Sequence, residues 1–315
     1  MQDHGDHDHS GHGHSPGGHI HADPRSAKSL AWVAAFTGVF MIAELVGGLV
    51  AGSLALLSDA GHMFVDMSGL ILAAIVARIS ARPANDRQTF GYRRAEVLGA
   101  FVNGAILCGL VLFIVWESIH RLFSEPDIKG WLMIWVAAGG LAFNLVIAAL
   151  LARGGAHKRD INLRGALLNV ISDAVGSVGA LAAGLLIMFF GWTAADAIAG
   201  LIVAALIAFN AVRLLRQTIN ILLESAPAGI ELEAVRSAVA EVKGVKTVHD
   251  LHIWSVVPGF ETLTLHVELE NEAALLRWDE TLLEINRVLK DRFKLHHNII
   301  QPELNAGLHK EIEHR

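Results

Sequence analysis

Charge is scarce in this chain. Only 18% of its 315 residues are Asp, Glu, Lys or Arg, against about 25% in an ordinary soluble protein. With 53% hydrophobic residues and a mean hydropathy of +0.46, a purely soluble globule is excluded and a bilayer protein is indicated. Cysteine is scarcer still: the single one, Cys108, stands in an apolar run, which excludes a disulfide framework and a thiolate metal cluster. The net charge is −6 and no basic stripe occurs, so a nucleic-acid protein, whose affinity rests on a basic footprint, is excluded. Met1 to His21 is acidic and His-rich, without the apolar core of a signal peptide. No His-Glu-x-x-His run is present, the helical signature of zinc-dependent membrane proteases. Nothing else pairs a nucleophile with a base, so the chain reads as a non-enzyme.

The apolar residues that are present are unevenly distributed. A spanning helix needs about 20 apolar residues to cross about 30 Å of hydrocarbon. Six stretches qualify: Leu30 to Val50, Leu54 to Ile79, Val97 to Ile119, Trp131 to Leu151, Ala166 to Phe190 and Ala194 to Val212. The organisation predicted is a disordered tail over 1–25, a six-helix transmembrane bundle over 26–217, a small cytoplasmic α+β domain over 218–305 and a flexible C-terminal tail over 306–315. Lys and Arg decide the orientation. Arg25, Lys28, Arg78, Arg82, Arg87, Arg93, Arg94, Arg153, Lys158, Arg159, Arg164, Arg213 and Arg216 flank one side of the spans, and only Arg121 and Lys129 the other. Both termini are therefore expected in the cytoplasm, with a bacterial inner membrane as the location.

Ionisable residues inside spans are costly and mark ion paths or buried pairs. Asp59, His62 and Asp66 follow one another at i, i+3 and i+7 in the second span, and Asn169 and Asp173 at i, i+4 in the fifth, so each set lies on one helical face. If the faces meet, His62, Asp66, Asn169 and Asp173 offer a nitrogen, two carboxylates and an amide oxygen to one point, a tetrahedral set suited to a divalent metal and most often zinc. The alternative is an interhelical hydrogen-bonded pair, which leaves three acids facing one His. Glu44 and Asp59 are candidate supporting or proton-relay groups. Asp196 reads as a partner of its own helix dipole, with a vestibule or relay group as the alternative, Glu117 as the i, i+4 partner of Arg121, and Asn103, Asn144 and Asn210 as interhelical hydrogen-bonding residues.

After Gln217 the pattern changes to a helix over Glu231 to Val242, strands over Val245 to Trp254 and Phe260 to Leu269 with Pro258-Gly259 as the turn, a helix over Glu272 to Phe293 and a strand over Asn298 to Gln301. This α-β-β-α-β order fits a ferredoxin-like domain. Alternation puts Leu263, Leu265, Val267 and Leu269 on one face and His266 on the other, with His249 and Asp250 on the neighbouring strand. His252 is expected to pack beside Trp254. At the opposite end, His4, His7, His9, His12, His14, His19 and His21 are interleaved with Gly, Asp and Ser, a disordered tract suited to weak metal capture.

The six spans, His62-x-x-x-Asp66, the Asn169-x-x-x-Asp173 pair, Thr89-Phe-Gly-Tyr-Arg-Arg-Ala-Glu96 and Val248-His-Asp-Leu-His-Ile-Trp254 together resemble the cation diffusion facilitator family, over about residues 28 to 305. The resemblance implies a homodimeric exporter of divalent metal, zinc first, exchanged for protons, with His62, Asp66, Asn169 and Asp173 as the transport site. It also implies metal at His249 and His266 in the cytoplasmic domain, with Glu303 a third candidate. Two departures modify this. Asn169 stands where zinc-transporting relatives usually have His, and an amide oxygen is a harder, weaker donor, so manganese, cobalt, iron or cadmium are alternative cargoes. The loop over 82–89 offers only Asp86 where some relatives bind an extra metal, so no metal is expected there. The competing function is a membrane metal sensor with an output domain. No cofactor beyond the transported metal and counter-ion protons is expected, and the partners are the metal, the bilayer and a second copy, with no nucleic acid.

Overall fold

In a computed structural model of the protein, the backbone of residues 24–124, 126–153 and 161–305 is described, with side chains over 35–124, 126–152, 167 and 170–305. The histidines from His4 to His21, residues 306–315 and the side chain of Asn169 lie outside the described residues. Six long helices come first: α1 (Pro24–Ala51), α2 (Leu54–Ser80), α3 (Ala95–Leu122), α4 (Gly130–Arg153), α5 (Ile161–Phe190) and α6 (Ala194–Leu222). Five of these, α2 to α6, are long and apolar enough to cross a membrane, while the described apolar part of α1, Ala35–Ala51, is shorter. The helices outrun the apolar stretches that announce them. α6 continues past Val212 through Arg213 and Arg216 to Leu222, because apolar composition reports the hydrocarbon slab whereas backbone hydrogen bonding carries on into the polar zone.

Large apolar side chains such as Leu112, Phe113, Trp135 and Phe189 are exposed on the outside of the bundle, as lipid-facing residues are. The inside is built from small ones. Ala51, Ala55, Ala137, Ala180, Ala183 and Ala199 are buried, and a Cβ on Gly47 or Gly184 would stand 2.6 Å from Val136 and 2.9 Å from Ile134 respectively. α1 and α5 therefore pack on α4 at backbone distance, by the small-residue mode of membrane helices.

One polar knot ties the end of the bundle remote from the C-terminal domain. Gly52, at φ +71°, turns the chain between α1 and α2 where a Cβ would stand 2.7 Å from the Asp127 carbonyl oxygen. Asp196 at the start of α6 is fully buried, and its carboxylate accepts from Ser53 Oγ at 2.6 Å, Leu54 N at 2.6 Å and Ala55 N at 3.1 Å. It thus caps the N-terminus of α2 while standing, as the sequence suggested, in the first turn of its own helix. Arg121 of α3 lies 3.6 Å from the same carboxylate, donates to the Gly52 carbonyl at 2.6 Å and holds Glu117 at 2.8 Å.

The C-terminal domain contains α7 (Leu232–Ala240), β1 (Val245–Val257), β2 (Phe260–Leu269), α8 (Glu272–Leu276), α9 (Trp278–Phe293) and β3 (His297–Glu303). β1 and β2 are antiparallel, β2 and β3 parallel, in the order β1-β2-β3. As the alternation predicts, Leu263, Leu265, Val267 and Leu269 are buried against Ile285, Leu289 and Leu295. The single helix expected over 272–293 is broken at Arg277, which leaves helical geometry at φ −108°, ψ 20°, and α8 is separately capped by the Asn271 side chain accepting from Ala274 N at 3.0 Å. β1 carries a bulge between His249 and His252, with Asp250 at φ +49°. The bulge corrects the expectation for His252: it is half-exposed and pairs with Asp250 Oδ1 at 3.0 Å.

The Asp196 knot carries a stability prediction. Asp196→Ala leaves the buried N–H groups of Leu54 and Ala55 without an acceptor and removes a charge partner of Arg121, at a cost of about 3 kcal/mol. The expected outcome is a clearly lowered melting temperature of the full-length protein in detergent; an unchanged one contradicts the capping role.

Candidate metal sites

The α2 stripe forms as its spacing requires. Its groups differ in exposure along the helix: Asp59 is 5% exposed as a residue, and the side chains of His62 and Asp66 are 13% and 31% exposed. Exposure thus rises toward the helix end that leads to the C-terminal domain. His62 Nε2 and Asp66 Oδ2 are 3.6 Å apart, one turn from each other. α5 approaches α2 closest through Gly176, where a Cβ would stand 3.3 Å from Asp59 Oδ1. One turn before it, Asp173 is buried.

Asp59, His62 and Asp173 line one cavity of about 200 Å³, together with Ser172, Gly176 and the α6 residues Val203, Leu206, Ile207, Phe209 and Asn210. No Lys or Arg stands among these lining residues. Asp66 is not in the lining and joins the group through His62. Glu44 of α1 is fully buried beside it. Its Oε1 lies where a Cβ on Gly140 of α4 would be 3.0 Å away, and the Phe40–Phe143 stack, with centroids 5.0 Å apart, closes the α1–α4 seam nearby. Both Glu44 carboxylate oxygens are buried without a hydrogen-bond partner among the described residues. Behind Asp173, Ser177 Oγ donates to its backbone oxygen at 3.1 Å and accepts from Asn144 Nδ2 at 3.5 Å.

The second cluster is tighter. His249 of β1 and His266 of β2 are register partners, and Glu303 ends β3 on the same sheet. Glu303 stands 3.2 Å from His249 Nε2 and 2.8 Å from His266 Nδ1. Among the described residues this is the group of three whose donor atoms all lie within 4.8 Å of one another. Tetrahedral zinc with ligands at about 2.1 Å sets donors about 3.4 Å apart, so the three fit a metal with little movement and leave a fourth position open. Gln301 Nε2 donates to Glu303 Oε1 at 3.1 Å, and Asp250 Oδ2 lies 3.7 Å from the other nitrogen of His266.

The structure thus brings Asp59, His62 and Asp173 to one cavity and His249, His266 and Glu303 to one point. It leaves Asp66 at the cavity's edge and places only the backbone of Asn169, one turn before Asp173 in α5. One participant escaped the sequence reading: Asn210, expected to bridge helices, lines the cavity. Its signal was a lone amide in an apolar stretch of α6.

Comparison with known proteins fits this architecture. Residues 30–223 match the family model of the cation efflux transmembrane domain, and residues 227–305 that of the cation efflux protein cytoplasmic domain. Fold and matches define an integral membrane transporter and not an enzyme. The chain is 38% identical over 270 residues to the cadmium, cobalt and zinc/H(+)-K(+) antiporter of Bacillus subtilis, covering 86% of each chain. It is 37% identical over 285 residues to zinc transporter ZitB of Escherichia coli, covering 89% of this chain and 88% of that one. The solved metal-bound C-terminal domain of the CzcD transporter from Cupriavidus metallidurans shares 37% identity over 24% of this chain and all of its own, with a TM-score of 0.22. The protein belongs to the cation efflux family, the cation diffusion facilitators.

Proposed function

We propose that the protein exports divalent metal, zinc first, from the cytoplasm in exchange for protons, through a tetrahedral site of His62, Asp66, Asn169 and Asp173. The observation that carries this reading is the membrane cavity lined by two carboxylates and an imidazole with no Lys or Arg in its lining. Buried acids without a compensating cation favour either protonation or capture of a metal ion, and that competition is a coupling device. A ligand must be deprotonated to hold metal, so loading metal releases protons and reprotonation from the far side releases metal. Rocking of the bundle around a midplane site converts the competition into exchange. Glu44 and Asp59, both buried in the bundle, are the groups through which we route protons past the ligands. The names of the relatives, which include cadmium and cobalt beside zinc, support those metals as further cargo, and the amide of Asn169 is the ligand through which selectivity would be set.

In the cytoplasmic domain, His249, His266 and Glu303 hold a metal ion, supported by donor spacing. The match of that domain to one named for dimerisation supports a homodimer. The distribution of Lys and Arg about the spans supports cytoplasmic termini in a bacterial inner membrane, which would place the metal-capturing histidines His4 to His21 at the loading side.

Two measurements test this. In proteoliposomes, zinc flux driven by an imposed pH gradient should fall at least about tenfold with Asp173→Ala or His62→Ala, a loss of the size that damage to a metal site produces, and should stop when the gradient is collapsed. Flux that survives either change contradicts the carrier mechanism, and bound zinc without flux supports the sensor instead. Separately, equilibrium dialysis of the purified protein should show His249→Ala with Glu303→Ala binding one zinc fewer per protomer; an unchanged stoichiometry contradicts the cytoplasmic site.

A further inference from the structure

A further cavity lies away from both candidate metal sites. It occupies about 720 Å³ between the α2–α3 connection and the cytoplasmic domain, within the size range of small-molecule sites. Its membrane-side wall is the end of α2 at Ser80 and the α2–α3 connection with Arg82 and Arg93; its other wall is Phe260 and His297. The connection is held in shape by Asn85, whose side-chain oxygen accepts from Arg87 N at 3.0 Å and Gln88 N at 2.9 Å.

The lining is basic and aromatic. The Arg93 guanidinium lies 4.5 Å from the centre of the Phe260 ring, a stacked position that holds the cation while leaving its N–H edge available. The His297 ring stands 5.8 Å from both Phe90 and Phe260. Neighbouring Arg94 is used up by Glu224 at 2.7 Å, whereas Arg82 and Arg93 have no carboxylate partner among the described residues. Glu96 is the one carboxylate in the lining, and it sits in the first turn of α3, where it complements the helix dipole. Two guanidinium groups against one acid leave the cavity an excess of positive charge.

Position narrows the ligand. α2 and α3 are membrane-spanning, and their ends at Ser80 and Glu96 put the cavity where hydrocarbon gives way to headgroups. Basic pockets at that level on the cytoplasmic side take anionic headgroups, and Arg is the side chain suited to phosphate. Pro83, Phe90, Val257 and Phe260 add apolar wall, which a bare ion would not use and the glycerol region of a lipid would.

We propose that this cavity binds the phosphate headgroup of an anionic phospholipid, fastening the cytoplasmic domain to the α2–α3 connection. The inference is independent of the metal reading, since neither metal cluster contributes a residue to it.

The test is native mass spectrometry of the full-length protein released from phosphatidylcholine nanodiscs doped with phosphatidylglycerol. Wild type should retain phosphatidylglycerol in preference to phosphatidylcholine. Arg82→Ala should weaken retention about fivefold, and Arg82→Ala with Arg93→Ala about thirtyfold, as expected for loss of one and two arginines near anionic lipid. Arg87→Ala, on the same connection but outside the lining, should leave it unchanged. The single Arg82→Ala variant spares the Arg93–Phe260 stack, so its result stands even if the double variant fails to fold. Absence of a phosphatidylglycerol preference, or equal retention by Arg82→Ala and wild type, overturns the proposal. Displacement of the lipid by inorganic phosphate alone assigns the cavity to a free anion and overturns the lipid occupant.

Discussion

The placement of negative charge inside an apolar bundle is the constraint around which the membrane domain is organised. A carboxylate taken out of water costs several kcal/mol unless hydrogen bonds or a cation compensate it. Asp196 and the Glu44–Asp59–Asp173 group are all buried, yet they meet this cost differently. Asp196 has a hydroxyl, two backbone amides and a guanidinium about it, so it is a structural joint. Asp59 and Asp173 instead line, with a single imidazole, a cavity whose lining residues include no Lys or Arg, and Glu44 is fully buried in the same bundle. Charge balance separates a joint from a site where composition alone does not.

The same division orders the bundle along its length. At the end remote from the cytoplasmic domain, close alanine packing and the Asp196 knot lock α2, α3 and α6 together. Toward the other end the cavity extends along α6 to Phe209 and Asn210, and exposure along the α2 stripe increases from Asp59 to Asp66.

Much of this was legible in the sequence because it is periodic. Hydropathy located the helices, i, i+3, i+7 spacing put Asp59, His62 and Asp66 on one face, and alternation put Leu263 to Leu269 inward and His266 outward. What escaped was long-range or aperiodic. Asp196 caps a helix that begins 142 positions earlier in the chain, and no local pattern announces such a pairing. Asn210 is one amide among apolar neighbours until α6 is packed beside α2 and α5. The bulge at Asp250 shifts the phase of β1, so His252 turns out to solvent and pairs with Asp250 although its spacing suggested packing.

The central claim is that the uncompensated acids of α2 and α5 exist to hold the exported ion. Its most direct test is a cryo-electron microscopy map of the zinc-loaded full-length protein. The account predicts a metal peak between α2 and α5, bonded by His62, Asp66, Asn169 and Asp173. A zinc-saturated map with no peak there, and with metal confined to the cytoplasmic domain, would contradict it.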